Sequence, residues 1–158
     1  MIKGKESIFF IKYQDDWAPI SCETESPMSE DVEVIGTTTR DNYGWKSYLA
    51  MEQGYSITVS GQAKKEDDSG ILSYFRLKEI KRSREVIEWK RETLQGFYLE
   101  SGTGIITNIS DGNETNEIMT FNMTILGNGR PLGHLDLVKH DQEGLVEWTD
   151  GGNFVKYD

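Results

Sequence analysis

The chain has 158 residues and a formal net charge of −10, with 36% hydrophobic and 11% aromatic residues. That length supports one domain with a modest core in which aromatics supply much of the buried area. The charge excludes a general nucleic-acid binder, because such proteins gain affinity by placing Lys and Arg on phosphates and releasing counterions. A single cysteine, Cys22, rules out an intrachain disulfide. No apolar run approaches the ~18 residues of a membrane span, and the first residues lack a signal peptide's apolar stretch. The expectation is a protein made and kept in the cytosol, or released by lysis, with no membrane partner.

Ser7 to Tyr13 (SIFFIKY) is apolar and β-prone on both faces, which suggests a strand buried on two sides or covered by another copy. Asp15, Asp16 and Pro19 are expected to end it. A second extended run, Val32 to Thr39, leads into "TTTRDNYGWKSY", where turn residues Arg40, Asp41, Asn42 and Gly44 flank two large aromatics, Tyr43 and Trp45. Gly36 to Gly54 therefore reads as an unusually long connection, and such connections tend to carry function.

After Gly54, Tyr55, Ile57, Val59, Gly61 and Ala63 alternate with Ser56, Thr58, Ser60, Gln62 and Lys64, the pattern of a half-buried antiparallel strand. The three-to-four spacing of Ile71, Tyr74, Phe75 and Leu77 predicts one helix over about Ile71 to Lys81, capped by Ser69 or Asp68. The period returns to two at Val86 to Thr93. Strands are also predicted at Ile105 to Ile109 and across Met119, Phe121, Met123 and Ile125, with Ser110 to Asn116 as the loop between them. Gly127 to Gly133 (GNGRPLG) reads as a turn. Residues 1–133 form the predicted β domain; 134–158 read as an extension with strand-like pieces at Leu145 to Trp148 and Phe154 to Tyr157, joined by an Asp-Gly turn. Many short strands and one helix predict a mainly β fold, a barrel or sandwich of antiparallel strands with one flanking α-helix. Its edges must be hidden or paired, and identical copies offer one way.

Between Arg76 and Arg91 lie seven basic residues and three acidic ones, a local +4 in a chain of −10. This is the mark of a basic face on an acidic surface, useful when opposite surfaces of neighbouring copies meet, although a solvated helix face has the same composition.

The residues of an enzyme are missing. Cys22 has no basic sequence neighbour and reads as an inert, partly buried thiol; His134 and His140 lie in the C-terminal region at no zinc-ligand spacing from it. Asp111, Asn113, Thr115 and Glu117 imitate a calcium loop but lack its glycine and closing glutamate. GNGRPLG has no Lys-Ser/Thr after it and is no phosphate loop. Sequons at Asn108, Asn113 and Asn122 read as strand and turn asparagines. No cofactor or metal is expected. Among 27 acidic residues a hydrolytic carboxylate pair has no spacing in its favour. A glycan-binding β-sandwich module, with Trp17, Trp45 or Trp148 stacking on sugars, is the alternative from another class; Trp89, and Trp17 with it, also fit a core role.

The order of features resembles the major tail tube protein of long-tailed, siphophage-type phages. The matching pieces are the early strand followed by Pro19 to Thr24, "SEDVEVIGTTTRDNYGW", "YSITVSG", the unit "SYFRLKEI" to "VIEWK", and the closing "GTGIITNIS" to "MTFNMTILGNGRP", together covering about Glu6 to Leu132. The resemblance implies a β-barrel-like sandwich whose copies close into hexameric rings, the rings stacking into a tube through which DNA passes without specific binding. Implied partners are further copies and the tail terminator, tape measure and distal tail proteins. The implied location is the virion tail, with the host cytoplasm during assembly. The tube of a contractile injection or secretion system shares the fold and is a second alternative. By the same resemblance Thr38, Thr39, Arg40, Asp41, Asn42, Tyr43 and Trp45 belong to a ring-stacking loop. Ile8, Phe9, Phe10 and Ile11 are the candidate intersubunit strand.

Overall fold

A computed structural model of the chain describes residues 7–38, 40, 43–64, 70–112 and 118–133, together with the backbone of 147–148 and 154–155. Its strands are β1 (Ser7–Tyr13), β2 (Asp16–Pro19), β3 (Glu23–Glu25), β4 (Met28–Gly36), β5 (Tyr48–Gln62), β6 (Ile87–Thr93), β7 (Tyr98–Gly112), β8 (Thr120–Gly127), β9 (Leu132–Gly133), β10 (Glu147–Trp148) and β11 (Phe154–Val155). The helix α1 spans Tyr74–Ser83. Nine strands make one antiparallel sheet in the order β2-β1-β6-β7-β8-β5-β3, with β4 also on β5 and β9 on β7; β10 and β11 pair with each other. The fold is mainly antiparallel β with one helix.

Two fifteen-residue strands organise it. The first half of β7 pairs with β6 (Ile87↔Gly104 to Glu92↔Tyr98) and its second half with β8 (Gly104↔Gly127 to Gly112↔Thr120). The sheet thereby folds over on itself, and the inner faces of β1 and β6 meet those of β5 and β8. The core is Phe9, Ile11, Trp89, Tyr55, Ile57, Val59, Phe121, Met123 and Ile125, with Leu72, Tyr74 and Leu77 from α1 and its approach. The alternation read at Tyr55 to Gly61 is present, every second residue being buried.

Tyr55 sits where the layers meet. Its hydroxyl donates to the Thr103 carbonyl at 2.5 Å and accepts from Trp89 Nε1 at 3.2 Å, so a buried phenol and a buried indole satisfy each other. The same ring requires glycine nearby: a Cβ on Gly102 would lie 2.7 Å from its hydroxyl, and one on Gly127 would overlap its edge. Gly102, and Gly104 against Ile125, hide β7 in the sequence, which predicts only Ile105 to Ile109 of a strand running from Tyr98 to Gly112. They mark close approach and not a break.

The first strand spans Ser7–Tyr13 as read and is ended by a two-residue turn of Gln14 (φ 51°) and Asp15 (φ 66°); Asp16 and Pro19, also expected to end it, instead lie in the returning strand β2. Two other expectations are corrected. The helix begins three residues late and is capped by Ser73, whose hydroxyl accepts from the Arg76 N–H at 3.3 Å. The preceding backbone is committed elsewhere, since Leu72 N–H donates to Pro19 O and Leu72 O accepts from Ser21 N–H. The proposed caps Ser69 and Asp68, like His134 and His140, lie outside the described residues. The segment Tyr48 to Gly54 is strand and not loop.

Side chains close the remaining seam. Glu23 on β3 accepts the free Phe9 N–H of β1 at 3.0 Å, and Arg91 on β6 donates to Ser26 O at 3.0 Å while pairing with Glu100. Burial raises the Glu23 carboxyl above its ordinary value, opposed by hydrogen bonds from Ser26 and Phe9 and by the Arg91 charge.

Two outcomes test this account. Tyr55→Phe leaves the Trp89 N–H unpaired and removes one of the two hydrogen bonds that the Thr103 carbonyl accepts, the other coming from Asn128 N–H at 2.9 Å, and is expected to cost about 1–3 kcal/mol, visible as a Tm lowered by several degrees. Glu23 binds protons more tightly when folded, so its contribution to stability falls as pH rises through the window just above 4.5. Glu23→Gln keeps an acceptor for Phe9 and is expected to remove that slope in urea midpoints measured from pH 4 to 7.

Candidate assembly surface

Only the second half of β5 is paired on both of its edges. Ser56 to Gln62 pair with β8 on one side, whereas Tyr48 to Gln53 pair with β4 alone. The distal part is a two-stranded ribbon, and every residue from Ser29 to Thr38 and from Tyr48 to Gly54 is exposed. Isolated ribbons of this kind are marginal in water, and open apolar edges invite further pairing.

The ribbon is nonetheless apolar. Val32, Val34, Ile35, Tyr48, Leu49 and Met51 are all exposed on it. The register between Val32↔Gln53 and Val34↔Ala50 skips a residue on β5, a bulge that turns its outer end over. The pleat then places Val32, Val34 and Tyr48 on the side continuous with the core face, and Ile35 opposite Leu49 on the reverse. Apolar side chains thus stand on both faces. Sequence reading missed these residues; the signal available was consecutive Val34 and Ile35 in an acidic run, which fits neither an exposed alternation nor a loop.

At the tip the ladder continues through Thr37 N–H to Ser47 O at 2.9 Å, and Thr38 Oγ1 accepts from Ser47 N–H at 3.3 Å. Tyr43 (φ 52°) and Gly44 (φ 82°) are both left-handed, a conformation a bulky residue adopts at a cost. Tyr43 is 95% and Trp45 78% exposed, and Arg40 is exposed beside them. Thr39, Asp41 and Asn42 lie outside the described residues.

The four residues of the candidate intersubunit strand divide. Phe9 and Ile11 are fully buried in their own core, Phe9 stacked on Trp89 with ring centroids 5.7 Å apart, so they have no surface to offer another copy. Ile8 and Phe10 are half-buried on the opposite face of β1. There the Lys90 ammonium lies 5.1 Å from the Phe10 ring centroid and 4.9 Å from that of Trp17, and pairs with Glu92 at 2.7 Å. Trp17 is accordingly a surface residue and not part of the core.

The basic run also divides. Arg91 and Lys90 turn toward partners, Lys78 pairs with Asp111 at 3.3 Å, and Arg76 pairs with Glu79 at 2.8 Å. Bonds from Tyr74 and Lys78 hold the Asp111 carboxyl below its ordinary value. Lys81, Arg82 and Arg84 form the far end of α1, with Arg82 and Arg84 exposed.

A groove of about 710 Å³ between the β1–β2 turn and the end of α1 is lined by Lys12, Asp15, Glu79, Glu85 and Glu88, with Lys12 and Glu88 already paired at 2.9 Å. Cys22 is exposed and not half-buried, held at φ 54° in a turn. Among the described residues no three His, Cys, Asp or Glu side chains could hold a metal ion, and no helix is long and apolar enough to cross a membrane.

A family model described as phage tail tube protein matches residues 1–132. Among solved structures, the chain is similar to one in the tail of an empty gene transfer agent particle with C6 symmetry, at TM-score 0.70 and 19% identity over 84% of this chain and 98% of that one. It is similar to the SPP1 tail tube protein at TM-score 0.65 and 10% identity, over 99% and 91% of the two chains. A chain of the sheath–tube complex of PVC, an extracellular contractile injection system, matches at TM-score 0.53 and 14% identity over 84% and 90%. At such identities the likeness is one of fold. No curated protein sequence matches the chain.

Proposed function

The chain belongs to the phage tail tube protein family, whose members are structural and non-enzymatic components of the virion tail, and on that premise we propose that its copies close into hexameric rings and that the rings stack into a hollow conduit for DNA. The observation that carries this reading is the β4–β5 ribbon: a projecting, apolar two-stranded element tipped by Tyr43 and Trp45, with no cover among the described residues. A second copy supplies the cover. Head-to-tail contacts use two different surfaces of each copy and propagate without limit when the geometry does not close, which is what a tube requires.

In this reading the tip, from Thr38 through Trp45, reaches the adjacent ring, and its two aromatics are anchors desolvated only on stacking. Ile8 and Phe10, with Trp17, offer a second surface for neighbouring copies. The tail terminator, tape measure and distal tail proteins complete the proposed partner set, and assembly takes place in the host cytoplasm. The net charge of −10 supports passage of DNA without specific binding, since a wall poor in unpaired cations gives phosphates no counterion release. The C6 symmetry of the similar gene transfer agent tail supports the choice of six. A tube within a contractile injection system is the second reading, favoured by the PVC match; the family model favours the phage tail.

Trp45→Ala tests the anchor. The unassembled variant is expected to keep its circular dichroism and Tm, because the side chain touches no core. Loss of an interfacial anchor worth about 2 kcal/mol or more raises the concentration needed for assembly about thirtyfold, so tubes seen by negative-stain microscopy for the parent chain should disappear at matched concentration. Unaltered tubes would remove Trp45 from the interface.

A further inference from the structure

Of the two ribbon faces, the reverse one carries a charge pattern as well as an apolar pair. Because β4 is regular, Asp31 and Glu33 share a face with Ile35, which stands opposite Leu49. All four are exposed, and among the described residues neither carboxylate has an ion-pair partner. On the same molecule the far end of α1 presents Lys81, Arg82 and Arg84, also without an ion-pair partner among the described residues, although the chain as a whole is acidic and carboxylates are plentiful. The partial negative charge at a helix C-terminus accounts for cations in the last turn. Arg84, the C-cap residue in a left-handed conformation (φ 59°), adds a third cation at the same end.

We propose that the Asp31–Glu33–Ile35–Leu49 face of the ribbon docks on the Lys81–Arg82–Arg84 end of α1 in a second copy of this chain. The inference rests on the self-assembly argued above and specifies which two surfaces meet. The two clusters are of opposite sign, two carboxylates on the projecting ribbon against three cations at the end of α1, where Arg82 and Arg84 are exposed. The apolar pair Ile35–Leu49 lies beside the carboxylates, so closing the contact removes apolar area from water and shields the ion pairs at once. One face of each kind per copy gives a heterologous contact that repeats from copy to copy.

Charge reversal tests it in the full chain. Asp31→Lys/Glu33→Lys, all on exposed positions, is expected to fold with the parent's Tm and to raise the concentration required for assembly by more than about tenfold, because like charges then face each other. Arg82→Glu/Arg84→Glu should do the same, and the neutral Arg82→Gln/Arg84→Gln guards against a folding defect from acid at the helix end by giving a smaller rise in the same direction. The decisive measurement is an equimolar mixture of the two reversed variants, in which each ribbon again finds an α1 end of opposite charge: tubes should return in the mixture and in the fourfold variant. Assembly of the ribbon variant at the parent's concentration overturns the pairing, as does failure of both mixture and fourfold variant to assemble. Should the parent chain itself form no rings or tubes in any salt, the self-assembly reading falls with it.

Discussion

A strand that outruns its sheet sets the terms for the rest of this molecule. The fifteen residues of β5 are continuous, yet β8 accompanies only Ser56 to Gln62, so beyond Gly54 the backbone's second row of hydrogen-bonding groups has no strand neighbour among the described residues. Water satisfies those groups in the isolated protein. It does not satisfy Val32, Val34, Ile35 and Leu49, whose exposure costs about 25 cal/mol per Å² of apolar surface relative to burial. A fold that keeps such an element keeps it for contact with something else.

The rigid half of the protein is what makes the projecting half usable. Tyr55 lies one residue beyond Gly54, at the root of the ribbon, and its hydroxyl is fixed by Thr103 and Trp89 while Gly102 and Gly127 admit its ring. From there inward every second residue of β5 is locked in the core. The ribbon is therefore aimed by a packed cluster and not by loop chemistry, which lets a marginal element keep a defined direction. The seam between β3 and β1, closed by Glu23 and Arg91, fixes the opposite, inner end of β5, where Glu23 stands across from Gly61.

How much of this the sequence disclosed follows from which physical signals are local. The alternation of Tyr55 to Gly61 was legible because one face is buried and the other wet, and the same holds for Phe121, Met123 and Ile125. Tyr43 and Trp45 stood out as aromatics among turn residues, and both are exposed. The extended run Val32 to Thr39 discloses only part of β4, and Tyr48 to Gly54 of β5 reads as loop, because a sheet exposed on both faces has no alternation to detect and because Gly36 and Gly54 look like boundaries. Gly102 and Gly104 disguised β7 for a different reason: what they accommodate, the Tyr55 ring and Ile125, arrives from distant parts of the chain. The helix start shifted since Leu72 is held by Pro19 and Ser21, a contact across fifty residues that no local cap preference contains. For β1, sequence could see that both faces were apolar but not that Phe9 and Ile11 would be consumed by the chain's own core.

An exposed apolar ribbon must also avoid the wrong partners before it meets the right one. Glu30, Asp31, Glu33 and Glu52 flank its apolar residues, and charges in such positions keep edges from pairing with one another at random. Two ribbons approaching side by side would bring these carboxylates together, while the bulge twists the strand away from a flat, extendable edge. A basic surface relieves the repulsion, and the end of α1 offers one among the described residues. The acidic residues that prevent edge-to-edge aggregation are then the ones that select the orientation of docking, so solubility of the single copy and direction of growth come from one set of side chains. In the proposed rings, a copy held at several weak sites gains far more than a copy held at one.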